Sequence, residues 1–205
     1  MTDTQIRARG RPRSFDDEAG VAIASQMFWE RGYDSVGIAE LCKAIDISPT
    51  SLYAAYGNKA GLYERVLDAY QAHSRERLFA GFDEARGLDE AVAVLLGNAA
   101  AAYTADPDRL GCPVLDGVLM TDDPDVRAAL RARAERTARR LAERLSAFGA
   151  NDPKSAADYL GVVLRGLSAA ARTGKTTAEL TRCAQIASAG FAATHGGRQP
   201  AADST

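Results

Sequence analysis

SVGIAELCKAIDISPTSLYAAYGNK, residues 35–59, reads as two short helices joined by a tight turn, with a longer helix following at once. Val36, Ile38, Ala39, Leu41 and Cys42 are apolar at helical spacing, and Ser35 stands where an N-cap belongs. Asp46 interrupts the pattern where a turn must adopt an unusual backbone angle, which Asp tolerates better than most residues. Ser48 and Pro49 restart the chain as N-cap and first helical residue, which fixes the register of the second helix. This is helix-turn-helix geometry, and its second helix is short enough to lie in a DNA major groove.

Spacing then separates core from surface within the motif. Leu52, Ala55 and Tyr56 lie at i, i+3 and i+4 and share the inward face. Pro49, Thr50, Ser51, Tyr53 and Ala54 are left for the groove. Free backbone amides at helix starts give Gly37 and the Ser48 cap a role toward phosphates. No outward position of the second helix carries Arg, Lys, Asn or Gln, so the strong bidentate base readers are missing. Specificity is therefore expected to be spread over two half-sites, DNA shape and a basic arm. That arm is residues 1–13, where Arg7, Arg9, Arg11 and Arg13 face one acid, Asp3. Its core, RGRPR, cannot be helical and suits a narrow minor groove; a solubilising tail is the alternative reading.

The order IAELCKAIDIS then PTSLYAAYGNK, with Gly32-Tyr33 upstream and Leu62 downstream, resembles the TetR/AcrR family of one-component repressors. The resemblance is close over residues 14–65 and extends to the remainder by helical layout. Leu52-Tyr53, the aromatic Tyr56 and Lys59, in that spacing, carry most of it. Two positions depart from the family pattern: Asp46 stands where Gly is usual, and Tyr56 where Phe is commoner. The resemblance implies an all-α chain with an N-terminal three-helix helix-turn-helix DNA-binding domain and a C-terminal helical-bundle domain for ligand binding and dimerisation. It implies DNA contacts at Thr50, Ser51 and Tyr53, a phosphate contact at Lys59, and release from DNA by a small-molecule effector. The expected layout is an arm at 1–13, a DNA-binding domain at 14–60, an effector and dimerisation domain at 61–197, and a disordered tail at 198–205.

Composition agrees with that layout. The 205 residues are 46% hydrophobic, enough for one small module and one larger core without staples. A net charge of -2 gives no bulk attraction to nucleic acid, so DNA binding has to come from local charge. Three widely spaced cysteines form neither a disulfide framework nor a zinc pattern. No signal peptide or membrane-length apolar run is visible, and the expected location is the cytoplasm, without a membrane partner. No phosphate loop, metal pair or nucleophile elbow points to an enzyme, a metal or a cofactor. A sequence-blind structural DNA binder without an effector would call for a more basic chain.

The remaining helices follow from caps and periodicity. The first runs from about Asp16 to Arg31, and the one after the motif from Lys59 into the 79–82 region, with Gly61 weakening its first turns. Others are expected at about 88–104 and 112–120, from Asp123-Pro124 to Phe148, from Asn151-Asp152-Pro153 to before Gly174, and from Thr176 to Gly196-Gly197. The arginines of the 124–148 helix are expected to pair with Glu135 and Glu143 and stay solvated. The last two helices carry apolar residues on more than one side, which suits a four-helix homodimer interface through Tyr159, Val163, Leu167, Leu180, Cys183, Ile186, Ala187 and Phe191. Symmetry would then place two recognition helices on a pseudo-palindromic double-stranded operator. Candidate effector-cavity residues are Tyr103, Leu110, Cys112, Val114, Leu115, Val118, Leu119, Met120, Phe148, Tyr159 and Leu164. Cys112, next to a helix start, leaves a redox-responsive regulator as an alternative.

Overall fold

The computed structural model describes residues 16–195, and those residues are helices joined by short turns. The basic arm with Arg9, Arg11 and Arg13, and the tail from residue 198, lie outside the described residues. The helices are α1 (Asp17–Arg31), α2 (Ile38–Ile45), α3 (Pro49–Tyr56), α4 (Lys59–Leu78), α5 (Leu88–Ala102), α6 (Pro113–Gly117), α7 (Pro124–Ala147), α8 (Pro153–Arg172) and α9 (Thr177–His195). Among the described residues, no helix is long and apolar enough to cross a membrane.

Local chemistry sets most of the boundaries. Asp16 caps α1 by accepting from the Glu18 and Ala19 amides, and Gly32 ends it at φ 75°. Asp46 takes the left-handed conformation at φ 59°, ψ 48°, so the turn between α2 and α3 is the one the sequence predicts. The Ser48 hydroxyl accepts from the Ser51 amide, with Pro49 as the first helical residue. Pro also opens α7 and α8 behind the capping carboxylates of Asp123 and Asp152. Thr176 and Glu179 satisfy each other's amides ahead of α9.

Three boundaries depart from the reading of the sequence. Ser35 does not cap α2. The cap is Gly37, because Glu40 reaches back to the Gly37 amide at 2.9 Å while the Ser35 carbonyl accepts from Arg31. Next, α6 stops at Gly117 because the chain tightens into i to i+3 bonds, Leu119 to Asp116 and Met120 to Gly117. Finally, α5 ends at Ala102, and the Thr104 hydroxyl takes the Ala100 carbonyl.

Helices α1 to α3 and the start of α4 enclose one core, with Ala24, Val36, Leu41, Leu52 and Leu62 fully buried. Phe28, Tyr33 and Tyr63 add a ring cluster with centroids 5.0–5.9 Å apart. The larger bundle is built around α5, whose Ala91, Val92, Leu95, Leu96, Ala99 and Ala100 are fully buried. Its main neighbours are α9, α4 and α8, and α7 packs along α8. Small Ala side chains let these backbones approach closely.

Helix α4 belongs to both bodies: Leu62 and Val66 pack in the small domain, while Leu78 faces the bundle. Arg133 of α7 is buried and hydrogen-bonds Asp68 and Gln71 of α4, so it ties the bundle to this shared helix. Arg131, Arg136, Arg139 and Arg140 are exposed as expected, whereas Arg133 departs from the expectation of solvated arginines on α7. Among the described residues, the expected ion pairs with Glu135 and Glu143 are replaced by partners off the helix. Arg127 likewise turns to the Thr121 carbonyl and Arg144 to Asp83, both outside the helix.

Candidate nucleic-acid interface and ligand cavity

Helix α3 is held from behind and open in front. Leu52 and Tyr56 are buried, and the Tyr56 hydroxyl donates to the Asp17 carbonyl of α1 at 2.9 Å. Here Tyr rather than Phe adds a hydrogen bond to the socket it fills. Pro49, Thr50, Ser51 and Ala54 are exposed, and Tyr53 is 48% exposed for so large a ring. The groove candidates therefore share one surface, with the Ser48 cap at its leading edge.

The flanking residues are placed differently from one another. Lys59, the first residue of α4, lays its ammonium 4.1 Å above the Tyr33 ring. Burial pushes its pKa down, against the pull of Asp34 and Asp123. Ser35 is exposed beside Gly37. The Gly37 amide, read from sequence as free for a phosphate, already donates to Glu40. Glu40 is in turn held below the usual carboxylate range, first by Arg31 and then by that amide.

Three sets of polar contacts connect this domain to the bundle. The Asp34 carboxylate accepts from the Thr121 hydroxyl at 2.8 Å and the Asp122 amide at 2.6 Å. Trp29 of α1 donates to the Leu110 carbonyl at 3.2 Å, which also accepts from Arg172 of α8. Arg109 donates through two nitrogens to Gln26. Asp34 and Trp29 carried no signal in the sequence, because their partners lie more than eighty residues away.

A cavity of about 440 Å³ lies between α4, α6, α7 and α8, below the C-terminal end of α5. Tyr103, Cys112, Val114, Leu115 and Leu164 line it, as the sequence predicts, together with Tyr70, Leu78 and Phe79 at α4 and Leu141 of α7. The other candidates lie elsewhere. Leu110 holds the Trp29 contact through its carbonyl, Phe148 packs edge-on against Phe82, and Tyr159 lies tilted against Phe191 and donates to the Ala187 carbonyl. Val118 packs against the core away from the cavity, while Leu119 is 82% exposed and Met120 is also exposed, consequences of the early end of α6.

Cys112 sits in the cavity wall with its amide donated to the buried Ser168 hydroxyl, which donates on to Asp116. Burial pushes the thiol pKa up, outweighing hydrogen bonds from Tyr70 and two backbone amides. A protonated, enclosed thiol lacks the thiolate character that a redox sensor needs.

Val162 of α8, 65% exposed, lines the cavity opening. Elsewhere α8 and α9 present an apolar surface of Ile186, 74% exposed, the exposed Cys183 and half-buried Val163 and Ala187. Leu167, Leu180 and Phe191 are not on it. They are buried in the protomer's own core, because the second apolar face of each helix packs against α5 and its neighbour.

Comparison with known proteins agrees with this geometry. The family model for bacterial regulatory proteins of the tetR family matches residues 21–66. The HTH-type transcriptional repressor BdcR of Escherichia coli (strain K12) is 35% identical over 199 residues, spanning 94% of this chain and 96% of its own length. The HTH-type transcriptional repressor ComR of the same organism is 30% identical over 194 residues, spanning 88% of this chain and 90% of its own. Among solved structures, the TetR family transcriptional regulator CifR, as a cysteine mutant complexed with 26-base-pair operator DNA, is 33% identical with a TM-score of 0.79, covering 88% of this chain and all of that one. With repressors related along nearly their whole length, and with a helix-turn-helix built in this way, the chain belongs to the tetR family of bacterial regulatory proteins.

Proposed function

We propose that the protein is a homodimeric repressor that sets one α3 from each protomer on a pseudo-palindromic operator and leaves it when a small hydrophobic or amphipathic molecule fills the cavity. The observation that carries the DNA half is the surface of α3: Thr50, Ser51 and Tyr53 face outward from a helix locked by Leu52 and Tyr56. Lys59 stands beside it as the phosphate contact. CifR is described in complex with operator DNA, and its likeness to this chain supports the same partner here.

The effector half rests on continuity. The cavity is walled by Tyr70 of α4 and by Cys112, Val114 and Leu115, and α4 carries Lys59 at its far end. The 110–122 segment is tied to α1 and Asp34 through the contacts of Leu110, Thr121 and Asp122. A ligand that shifts this segment therefore acts on the DNA-binding domain, provided it binds the released conformation more tightly. A native mass spectrum of gently purified protein tests subunit count and retained ligand together. The expected species is a dimer; a dimer with extra mass identifies the effector class, and a monomer contradicts the half-site arrangement.

The arm has a role of its own. A dimer neutralising on the order of 8 phosphates should lose affinity with a log–log salt slope near about -7. Deleting residues 1–13 is expected to make that slope shallower and to lower both affinity and discrimination between operator and random DNA. Unchanged binding of the truncated protein at physiological salt would leave the arm as a tail.

A further inference from the structure

The cavity alone leaves the ligand's chemistry open, and the charges around it narrow the choice. Its floor is apolar and buried, formed by Tyr103, Val114, Leu141, Ala157 and Leu164. The Tyr70 hydroxyl donates to the Cys112 thiol there, and the Tyr103 hydroxyl is a further buried polar group. The rim is different. Arg75 of α4, Arg140 and Arg144 of α7 and Arg165 of α8 all line the same opening, so three helices each bring a guanidinium to it.

These four arginines outnumber the two acids of the lining. Glu135 and Asp158 are the acidic lining residues, and Asp158 is held by Lys154 at 2.8 Å. Arg75, Arg140 and Arg165 are exposed and have no acidic partner among the described residues. Arg144 lies over the Phe79 ring, 4.3 Å from its centroid, with an ion pair to Asp83 at 3.3 Å. That ion pair is made by the buried Nη1, which has no hydrogen bond of good geometry. An apolar floor below an arginine rim complements a molecule with an apolar body and an anionic end. The body gains by leaving water, and a carboxylate can meet one or more guanidinium groups in the paired geometry they favour.

Resting on the cavity as the effector site, we infer that the effector is an amphipathic organic anion, its apolar body on the Tyr103–Leu164 floor and its anionic head among Arg75, Arg140, Arg144 and Arg165. A cationic amphiphile would meet a net like charge at the same rim, and a neutral one would gain only from the floor.

The test uses the full chain and four probes. Nile red, neutral and fluorescent in apolar surroundings, reports occupancy of the floor, and Leu115→Trp, which fills the cavity, should abolish its signal. Decanoate, decanol and decylamine, matched in chain length, are then titrated against the bound dye. Decanoate is expected to displace it at about ten-fold lower concentration than decanol, with decylamine weakest. In the triple variant Arg75→Gln, Arg140→Gln, Arg165→Gln, which changes only exposed side chains, decanoate should lose that advantage while dye binding persists. Nile red that fails to bind, or binds Leu115→Trp equally well, overturns the cavity reading itself. A dye that binds the cavity but yields to decanol or decylamine as readily as to decanoate overturns the anionic class alone. An advantage of decanoate that survives the triple variant does the same.

Discussion

Gly61→Ala is expected to lower the stability of the DNA-binding domain by about 3 kcal/mol and to remove most operator binding. In an unconstrained helix the same change would stabilise by about 1 kcal/mol, since Ala is the better helix former. The sign reverses because a Cβ at this position would lie 2.1 Å from the Tyr56 carbonyl oxygen and 3.3 Å from its carbon. Those are backbone atoms at the end of α3, so relief requires moving the recognition helix relative to α4. The Asn58 cap, which accepts from the Gly61 amide at 2.8 Å, sits in the same turn and would be disturbed with it. Gly97→Ala in α5 is the control, because a Cβ there meets nothing within 4 Å. Thermal unfolding and operator titration of both variants check the contrast. A Gly61→Ala protein as stable as its Gly97→Ala counterpart would mean that α3 and α4 are not held this closely.

Ile186→Glu is expected to convert the dimer to a monomer and to weaken operator binding by about 100-fold or more, because linked half-site binding is lost. Ile186 is 74% exposed in the protomer, so the substitution leaves the bundle core in place. In a dimer joined through α8 and α9 the same side chain would be covered, and a carboxylate would be desolvated without a partner. Sedimentation and operator titration read the two effects separately. The uncharged truncation Ile186→Ala should fall between wild type and the charged variant. Persistence of the dimer in Ile186→Glu would place the interface elsewhere.

The N-terminal domain was legible in the sequence because its signals are local. Asp46, Ser48 and Pro49 each act within three residues of themselves, and each does in the structure what its chemistry requires. Gly61 shows the limit: read along its own helix it only weakens a turn, and its actual reason is a carbonyl on the previous helix. The bundle was harder for a related cause. Helices α8 and α9 have apolar residues on two faces, and periodicity does not say which face meets α5 and which meets solvent. Leu167, Leu180 and Phe191 went to the core, Val162 and Ile186 to the surface. At the cavity, Tyr103, Cys112, Leu115 and Leu164 were found from their neighbourhood in the chain, whereas Tyr70 and Phe79 were hidden in the long stripe of α4. The stripe changes its partner from the small domain to the cavity partway along, without any change of residue type.

Sequence-specific DNA binding through paired α3 helices is tested most directly by genomic selection. Fragments of the source genome retained by the full-length protein at physiological salt would be sequenced. The expected result is a small set of fragments sharing a pseudo-palindrome whose half-sites lie about one helical turn apart or somewhat more. That set should vanish for a Thr50→Ala, Ser51→Ala, Tyr53→Ala variant that remains folded. Retention of fragments without a shared motif, or an identical set from the variant, would contradict binding through α3.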